Sequence, residues 1–542
     1  VTITQPASFD LRTEPWLPVV DLNGHQELVS LARLLTSAHR LRRIAGETSS
    51  MTAALHRLVL ALIHRVYGPP SEAAWAELWK APRLPFAPLA TYLRDKKSSF
   101  DLFDDRHPFM QCPGLSTLTP ATAAKLVPYR SVGRNVTLFD KTLATDQILL
   151  TPAEAARWLV TAQAFDPGGT KTPYQKDKYS ERAPCGSLGI AVVEGNTLKE
   201  TLLLNSMIYR PDHEQPAPNT ADDGPAWEQM LPPDPAPGKR ATRGWTDLLT
   251  WPARRILLSQ KRTDDGLMVD GVILTPGTRL DAVAADEEMM AAFRKPTDQK
   301  GKTKRGAPML PVRLHPVRGV WRHSVELLMT NLWEEGKTRQ RPRTLEQISE
   351  LAEHGHIPAH AVYTLRVFDQ QLDDNATVVE TWLEEVVPAP VALLRARDET
   401  LGALLGCAIA YADNIGAALR HMQRSYRKEK RGNRENKREK PTWSLDVEYW
   451  PRLARPFAEF LTDIAQAHDA DETKTTAVEA WQNQVATIAL RATDHWAEGS
   501  PAEGHDLVVV GKHYGQFLGR LDKLTRIFHT EIAAYITTKG AA

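Results

Sequence analysis

The chain has 542 residues, 42% of them hydrophobic and 25% charged, with 67 Lys+Arg against 66 Asp+Glu. That length exceeds one compact domain of ~100–200 residues, and the composition is enough for a sizeable buried core. The near balance of charge excludes a uniformly basic coat, so any polyanion binding must come from local patches.

The first third reads as mostly helical. Leu55, Leu58, Val59, Ala61, Leu62 and Val66 recur at spacings of three and four, one face of an amphipathic helix that Pro69 and Pro70 end. Residues 82–114 are broken by prolines and aromatics and read as loop, as do residues 130–151. A helix over 152–164 then stops at Asp166-Pro167-Gly168-Gly169. In the middle third, residues 189–193 and 268–274 are short, rich in β-branched side chains and bounded by glycine or proline, which predicts strands. The proline-rich stretch 216–237 reads as a poorly ordered loop. In the last third, four long helical patterns span 389–427, 447–468, 473–496 and 507–534. Phe517, Leu521, Leu524, Phe528 and Ile532 trace an apolar stripe along the last of them. Four such helices pack most simply as a bundle. The expected fold is α+β, a large irregular mixed α/β N-terminal domain over 1–377 followed by a C-terminal four-helix bundle over 378–542.

Three scattered cysteines, Cys112, Cys185 and Cys407, with no CxxC pair, argue against a disulfide framework and a thiolate zinc site, and for a reducing compartment. The opening residues lack a signal-peptide pattern. No apolar run approaches the ~20 residues that span a bilayer; residues 401–410 are the longest candidate and read as a buried helix. The expectation is a soluble, cytoplasmic protein.

Catalytic signatures are sparse. Gly168-Gly169-Thr170-Lys171-Thr172 imitates a phosphate loop, but Thr170 separates Gly169 from Lys171, and Gln163 or Ala164 stands where the first glycine belongs. The segment reads better as a glycine turn followed by basic and aromatic residues (Lys171, Tyr174, Lys176, Lys178 and Tyr179). There a backbone approaches nucleic acid while lysines meet phosphates. Asp104, Asp105, His107 and Cys112 could imitate a nucleophile or metal cluster, but the apolar Pro108, Phe109 and Met110 beside them favour a buried structural turn. Asp212-His213-Glu214 has no evident partners, and no HExxH, GxSxG or Rossmann fingerprint occurs. Basic runs stand out instead. Residues 294–305 hold six basic side chains against Asp298, and residues 424–440 hold nine against three glutamates. A lone charge run is often a solvated linker. Two in a chain otherwise near neutrality point to a phosphate-tracking surface.

Phe9-Asp10-Leu11 with Glu14-Pro15-Trp16-Leu17-Pro18-Val19, followed by Arg106-His107-Pro108-Phe109-Met110-Gln111, resembles the CasA family, the large subunits of the type I-E CRISPR Cascade complex. The glycine turn after a helix, Leu202-Leu203-Leu204-Asn205, Gly244-Trp245, Trp251-Pro252 and the terminal bundle keep the family order, so the resemblance covers essentially the whole chain. It implies a non-catalytic subunit that contacts the protospacer-adjacent motif (PAM) of double-stranded DNA. Such a subunit helps open the duplex for R-loop formation and recruits the helicase-nuclease in antiviral defence. The implied partners are the small-subunit dimer, the backbone subunits, crRNA, target DNA and that effector, with no cofactor and no metal. Carried over by position, the PAM-reading residues are Gly168, Gly169, Thr170 and Lys171, then Lys295 with Lys300, Lys302 and Lys304 as rivals. The wedge falls at Asp374 and Asn375 or at Gln370 and Gln371. A crRNA- and PAM-proximal loop over 130–147 carries Arg134, Phe139 and Lys141, and Arg424, Arg427, Lys428, Lys430 and Arg431 form a patch for the DNA backbone. Minor-groove reading separates mainly A·T from G·C, and a side-chain-free turn fits a groove ~6 Å wide. Two readings of other classes stand beside this one: a metal-dependent nucleic-acid hydrolase using Asp104, Asp105 and His107, and a protein-only scaffold.

Overall fold

Strand Leu17–Asp21 pairs antiparallel with Gln26–Val29 on one side and with Leu41–Ile44 on the other. Helical periodicity did not reveal this sheet, because strands of four or five residues are too short to establish a period. The computed structural model describes residues 7–130, 148–211, 220–229, 231–280, 287–296, 304, 306–329, 338–397, 399–431, 445–470, 472–499 and 505–536.

Helix Ser49–Val66 starts where the Thr48 side chain accepts the Met51 N–H, and nearly every residue from Ser49 to His64 is buried. The expected apolar face is thus one side of a helix enclosed all round, and several of its polar groups have internal partners. Arg57 pairs with Glu288 at 2.9 Å, His56 Nδ1 meets Thr52 O at 2.8 Å, and His64 Nε2 accepts the Met207 N–H at 3.1 Å. Helices Glu72–Lys80 and Phe86–Asp95 follow. The second lies where prolines predicted only loop. Its Pro88 sits in the first turn, where a missing N–H costs the helix nothing.

Helix Pro152–Phe165 matches its expectation and carries a capping box between Thr151 and Glu154. Strand Ile190–Glu194 is wholly buried and joins the hairpin of Val362–Leu372 and Val379–Pro390 in one sheet. Strand Gly266–Pro276, which contains the expected 268–274, pairs along its length with Arg254–Thr263. The described part of 216–237 is anchored rather than loose. Asp223 accepts from Tyr209 Oη, Thr246 N and Asp247 N, and Glu228 pairs with Arg65 at 2.8 Å.

The chain divides into two compact units. The first comprises residues 1–313, 342–347 and 365–384, and the second comprises residues 314–341, 348–364 and 385–542. The second unit contains helices Glu399–Arg431, Ala454–Asp469, Thr475–Glu498 and His505–Ile532, packed on one another as a bundle. Trp481 lies fully buried among Trp321, Phe457 and Phe460, and its indole N–H donates to Ala408 O at 3.1 Å. Phe517, Leu521, Phe528 and Ile532 of the expected stripe are buried. Helix segment Thr400–Lys430 is long and apolar enough to cross a membrane by length and composition alone, and it is mostly buried within its unit.

Candidate nucleic-acid interface

Helix Pro152–Phe165 ends when Asp166 leaves helical geometry while its N–H still reaches Ala162 O. The Asp166 carboxylate is held between two cations, Arg254 Nε at 2.6 Å and Lys171 Nζ at 2.6 Å. The Arg254 guanidinium also donates to the carbonyls of Asp166, Pro167 and Glu181 at 3.1, 3.0 and 2.7 Å. Its backbone exchanges two bonds with the Gln163 amide. One buried guanidinium therefore ties the entry and exit of the turn together. Burial works against the charge on Asp166, but Lys171 and Arg254 outweigh it and hold the carboxyl below its usual value. Burial pushes Lys171 below the ordinary lysine value despite its partner.

Above this base, Gly168 N donates to Ala376 O at 2.8 Å. Ala376 belongs to the tip of the hairpin made by Val362–Leu372 and Val379–Pro390. Asp373 organises that tip by accepting from Thr377 N at 2.6 Å and Val378 N at 2.7 Å, which holds its carboxyl below the usual range. Asp374 and Asn375 are exposed at the apex, and Ala376 takes a positive φ of 56°, rare for a residue with a side chain. The glycine turn and the hairpin tip expected as the wedge, about 200 residues apart in sequence, meet in one structure.

The glycines are packed closely at that meeting. A Cβ on Gly168 would lie 3.2 Å from Ala376 O and Ser180 O. Gly169 has φ +94°, and a Cβ there would lie 2.9 Å from Thr377 Cγ2. Gly168 is buried under the hairpin tip, Gly169 is half-buried and Thr170 is exposed. Strand Gly169–Tyr174 then pairs with Asp177–Ser180, and Lys176, Lys178 and Tyr179 are exposed on that hairpin. Tyr179 is 72% exposed, with Lys178 Nζ 5.5 Å from its ring centroid. A flat ring and two cations beside a backbone turn suit base edges and phosphates.

The model of the CRISPR-associated protein Cse1 family matches residues 10–492. The chain belongs to the Cse1 (CasA) family. The CasA/Cse1 protein of Thermus thermophilus is 30% identical over 541 residues, covering 96% of this chain and 99% of that one. Two solved structures are similar along nearly their whole length. The Cse1 of Thermobifida fusca is 27% identical with a TM-score of 0.79, covering 96% of this chain and 98% of its own. The Cse1 of Acidimicrobium ferrooxidans is 27% identical with a TM-score of 0.77, covering 97% and 100%.

Within this Cse1-family chain the other expected residues separate. Lys171 is enclosed and committed to Asp166, so it supports the turn and is not a free phosphate contact. Gln370 is also turned inward, its amide donating to Phe165 O at 2.8 Å. Gln371 is half-buried on the same strand. Of the two wedge assignments, only Asp374 and Asn375 stand at the exposed apex. Lys295 is half-buried just past the short strand Phe293–Arg294 and Lys304 is exposed, while Lys300 and Lys302 lie outside the described residues. Arg134, Phe139 and Lys141 also lie outside them. On helix Glu399–Arg431, Arg424, Lys428 and Lys430 are exposed and Arg427 is half-buried, while the Arg431 side chain is not described. Glu429 on that face is bound by Lys512 and His513, each at 2.9 Å, which removes one acid from the patch.

The alternative cluster has a structural role. Asp104 Oδ1 accepts from Arg106 N and His107 N at 2.9 and 2.7 Å, closing a local turn. Among the described residues no group of three or more His, Cys, Asp or Glu side chains could hold a metal ion. The residues that inference from sequence missed are Arg254, Asp373 and Thr377. The Arg254-Arg255 pair just after Trp251-Pro252 was the available signal.

Proposed function

We propose that this chain is the non-catalytic large subunit of a crRNA-guided Cascade complex in the cytoplasm. In this reading it recognises the PAM of invading double-stranded DNA and promotes duplex opening for R-loop formation. It works beside the small-subunit dimer, the backbone subunits and crRNA, and it recruits the helicase-nuclease. Guide pairing reads the long sequence, and the protein reads a short duplex feature, a division known from another effector class. The observation that carries the reading is the bond from Gly168 N to Ala376 O, which joins the backbone turn to the hairpin tip. The exposed end of the turn at Thr170, beside the half-buried Gly169, can approach the minor groove, with the exposed apex residues Asp374 and Asn375 acting where paired strands must part. Asp374 is acidic and repels phosphate, so Asn375 is the residue assigned to the base step. The exposed Arg424, Lys428 and Lys430 add sequence-independent attraction to the DNA backbone.

The test is binding of a protospacer duplex by the reconstituted complex, with the flanking trinucleotide randomised and bound fractions sequenced. Wild type is expected to enrich a small set of trinucleotides, and Gly168→Val with Gly169→Val is expected to lose the enrichment. Enrichment that survives both substitutions rules out the turn as the reader. DNA cleavage by the purified chain with Mg²⁺ or Mn²⁺ would favour the hydrolase reading instead.

A further inference from the structure

The segment 106–111, a distinctive motif of this sequence, has no part in the interface above. Its residues His107, Pro108, Met110 and Gln111, with Cys112, line a cavity of about 260 Å³ in the first unit. Trp227, Pro233, Pro252 and Ile256 give the walls flat apolar faces. Met110 takes φ 52°, a left-handed conformation that costs an ordinary side chain energy and recurs where ligands are clamped.

The wall also carries Arg255, only 6% exposed. Its guanidinium donates to three neutral oxygens: Asp234 O at 2.7 Å, Thr278 Oγ1 at 3.0 Å and Pro252 O at 3.2 Å. The Asp234 carboxylate is near enough to favour the charge, but it accepts instead from Ala236 N within its own loop. A guanidinium has five N–H donors, so some capacity remains, and a buried cation without a bonded anion is costly. Burial accordingly pushes Arg255 below the usual arginine range. The other charges on the wall are matched. Arg254 has Asp166, Glu228 has Arg65, Tyr92 and Lys96, and Asp95 has Arg94.

We propose that this cavity binds a small organic anion, a flat apolar body bearing one carboxylate or phosphate group, with the charge resting on Arg255. The apolar walls take the body, and the guanidinium fork suits either oxyanion. The proposal does not depend on the DNA-reading assignment, since Arg255, the group that would meet the anion, takes no part in it, although Arg254 of the turn's base is also on the wall.

Isothermal titration of the full chain with benzoate and with phenyl phosphate tests this, with benzamidine and inorganic phosphate as counterparts. At least one aromatic anion is expected to bind saturably with Kd about 1 mM or tighter, the range open to so small a ligand. Benzamidine and inorganic phosphate are expected to bind at least tenfold more weakly, roughly one step on the affinity scale. Arg255→Met should weaken the aromatic anion about tenfold or more. Ala226→Trp adds bulk at a lining position other than Arg255 and should abolish binding; it carries the test alone if Arg255→Met does not fold. Stronger binding of the carboxylate or of the phosphate identifies which headgroup the site prefers. The proposal is overturned if neither aromatic anion binds saturably, if benzamidine or inorganic phosphate binds as tightly, or if Ala226→Trp leaves the affinity unchanged.

Discussion

Replacing Gly169 with alanine separates two reasons for a glycine at this position. If the turn needs glycine only to enter the groove, the added Cβ obstructs DNA and the free protein is little affected. The structure gives a second cost. An L-residue at φ +94° pays on the order of 1–2 kcal/mol for the left-handed backbone. The Cβ also falls 2.9 Å from Thr377 Cγ2, well inside the ~3.5–4.0 Å of a good carbon contact, and overpacking of that kind costs ~1–3 kcal/mol. Gly169→Ala should therefore destabilise the free chain by ~2–5 kcal/mol or displace the hairpin tip. Thr377→Ser removes the offending methyl but keeps the hydroxyl that bonds Asp373. The double variant should recover the steric share, ~1–3 kcal/mol, and part of the PAM-dependent binding, leaving the backbone share unrecovered. Denaturant titration of the free chain and duplex binding by the complex measure the two effects in parallel. Strict additivity of the two substitutions would refute the coupling between turn and hairpin.

Arg254→Met leaves the carbonyls of Pro167 and Glu181 and one side of the Asp166 carboxylate without that donor, and is expected to cost ~3 kcal/mol, near the low end for breaking a buried pair because Lys171 remains; thermal unfolding checks it. His64 is fully enclosed, and burial pushes its pKa down to about 3. The unfolded chain then takes up a proton that the folded chain refuses, so stability falls as pH drops below 6.5, by up to ~1.4 kcal/mol per unit. His64→Gln keeps an acceptor for Met207 N and should flatten that slope between pH 6.5 and 5 in denaturant titrations. Trp481→Ala should destabilise the bundle by ~3–5 kcal/mol, read by denaturation. Arg424→Gln with Lys428→Gln should weaken duplex binding evenly across flanking sequences and lower the salt slope by about 2. A selective loss for one trinucleotide would assign that face to sequence reading.

The bundle was legible because helices of 16 to 33 residues repeat their apolar stripe often enough to be unmistakable. The opening sheet was not, since its strands are too short to show a period. Helix Phe86–Asp95 was hidden by prolines whose placement in the first turn is harmless. At the site, the glycine pair marks the turn in sequence, whereas the apex was placed by the family resemblance, with Gln370 and Gln371 as its rival. Side-chain orientation could not be read. Lys171 and Gln370 have the chemistry of ligand contacts, but an ion pair with Asp166 and a carbonyl of Phe165 hold them inside. Arg254 is equally silent, because its role depends on three carbonyls brought together only by the fold.

A photoreactive amino acid placed at Thr170 in one variant and at Asn375 in another, within the reconstituted complex on a protospacer duplex, tests whether turn and hairpin act on DNA as one element. Crosslinks from both positions to the base pairs flanking the protospacer are the expected result. Crosslinks from neither position, or from the two positions to distant parts of the duplex, would contradict it.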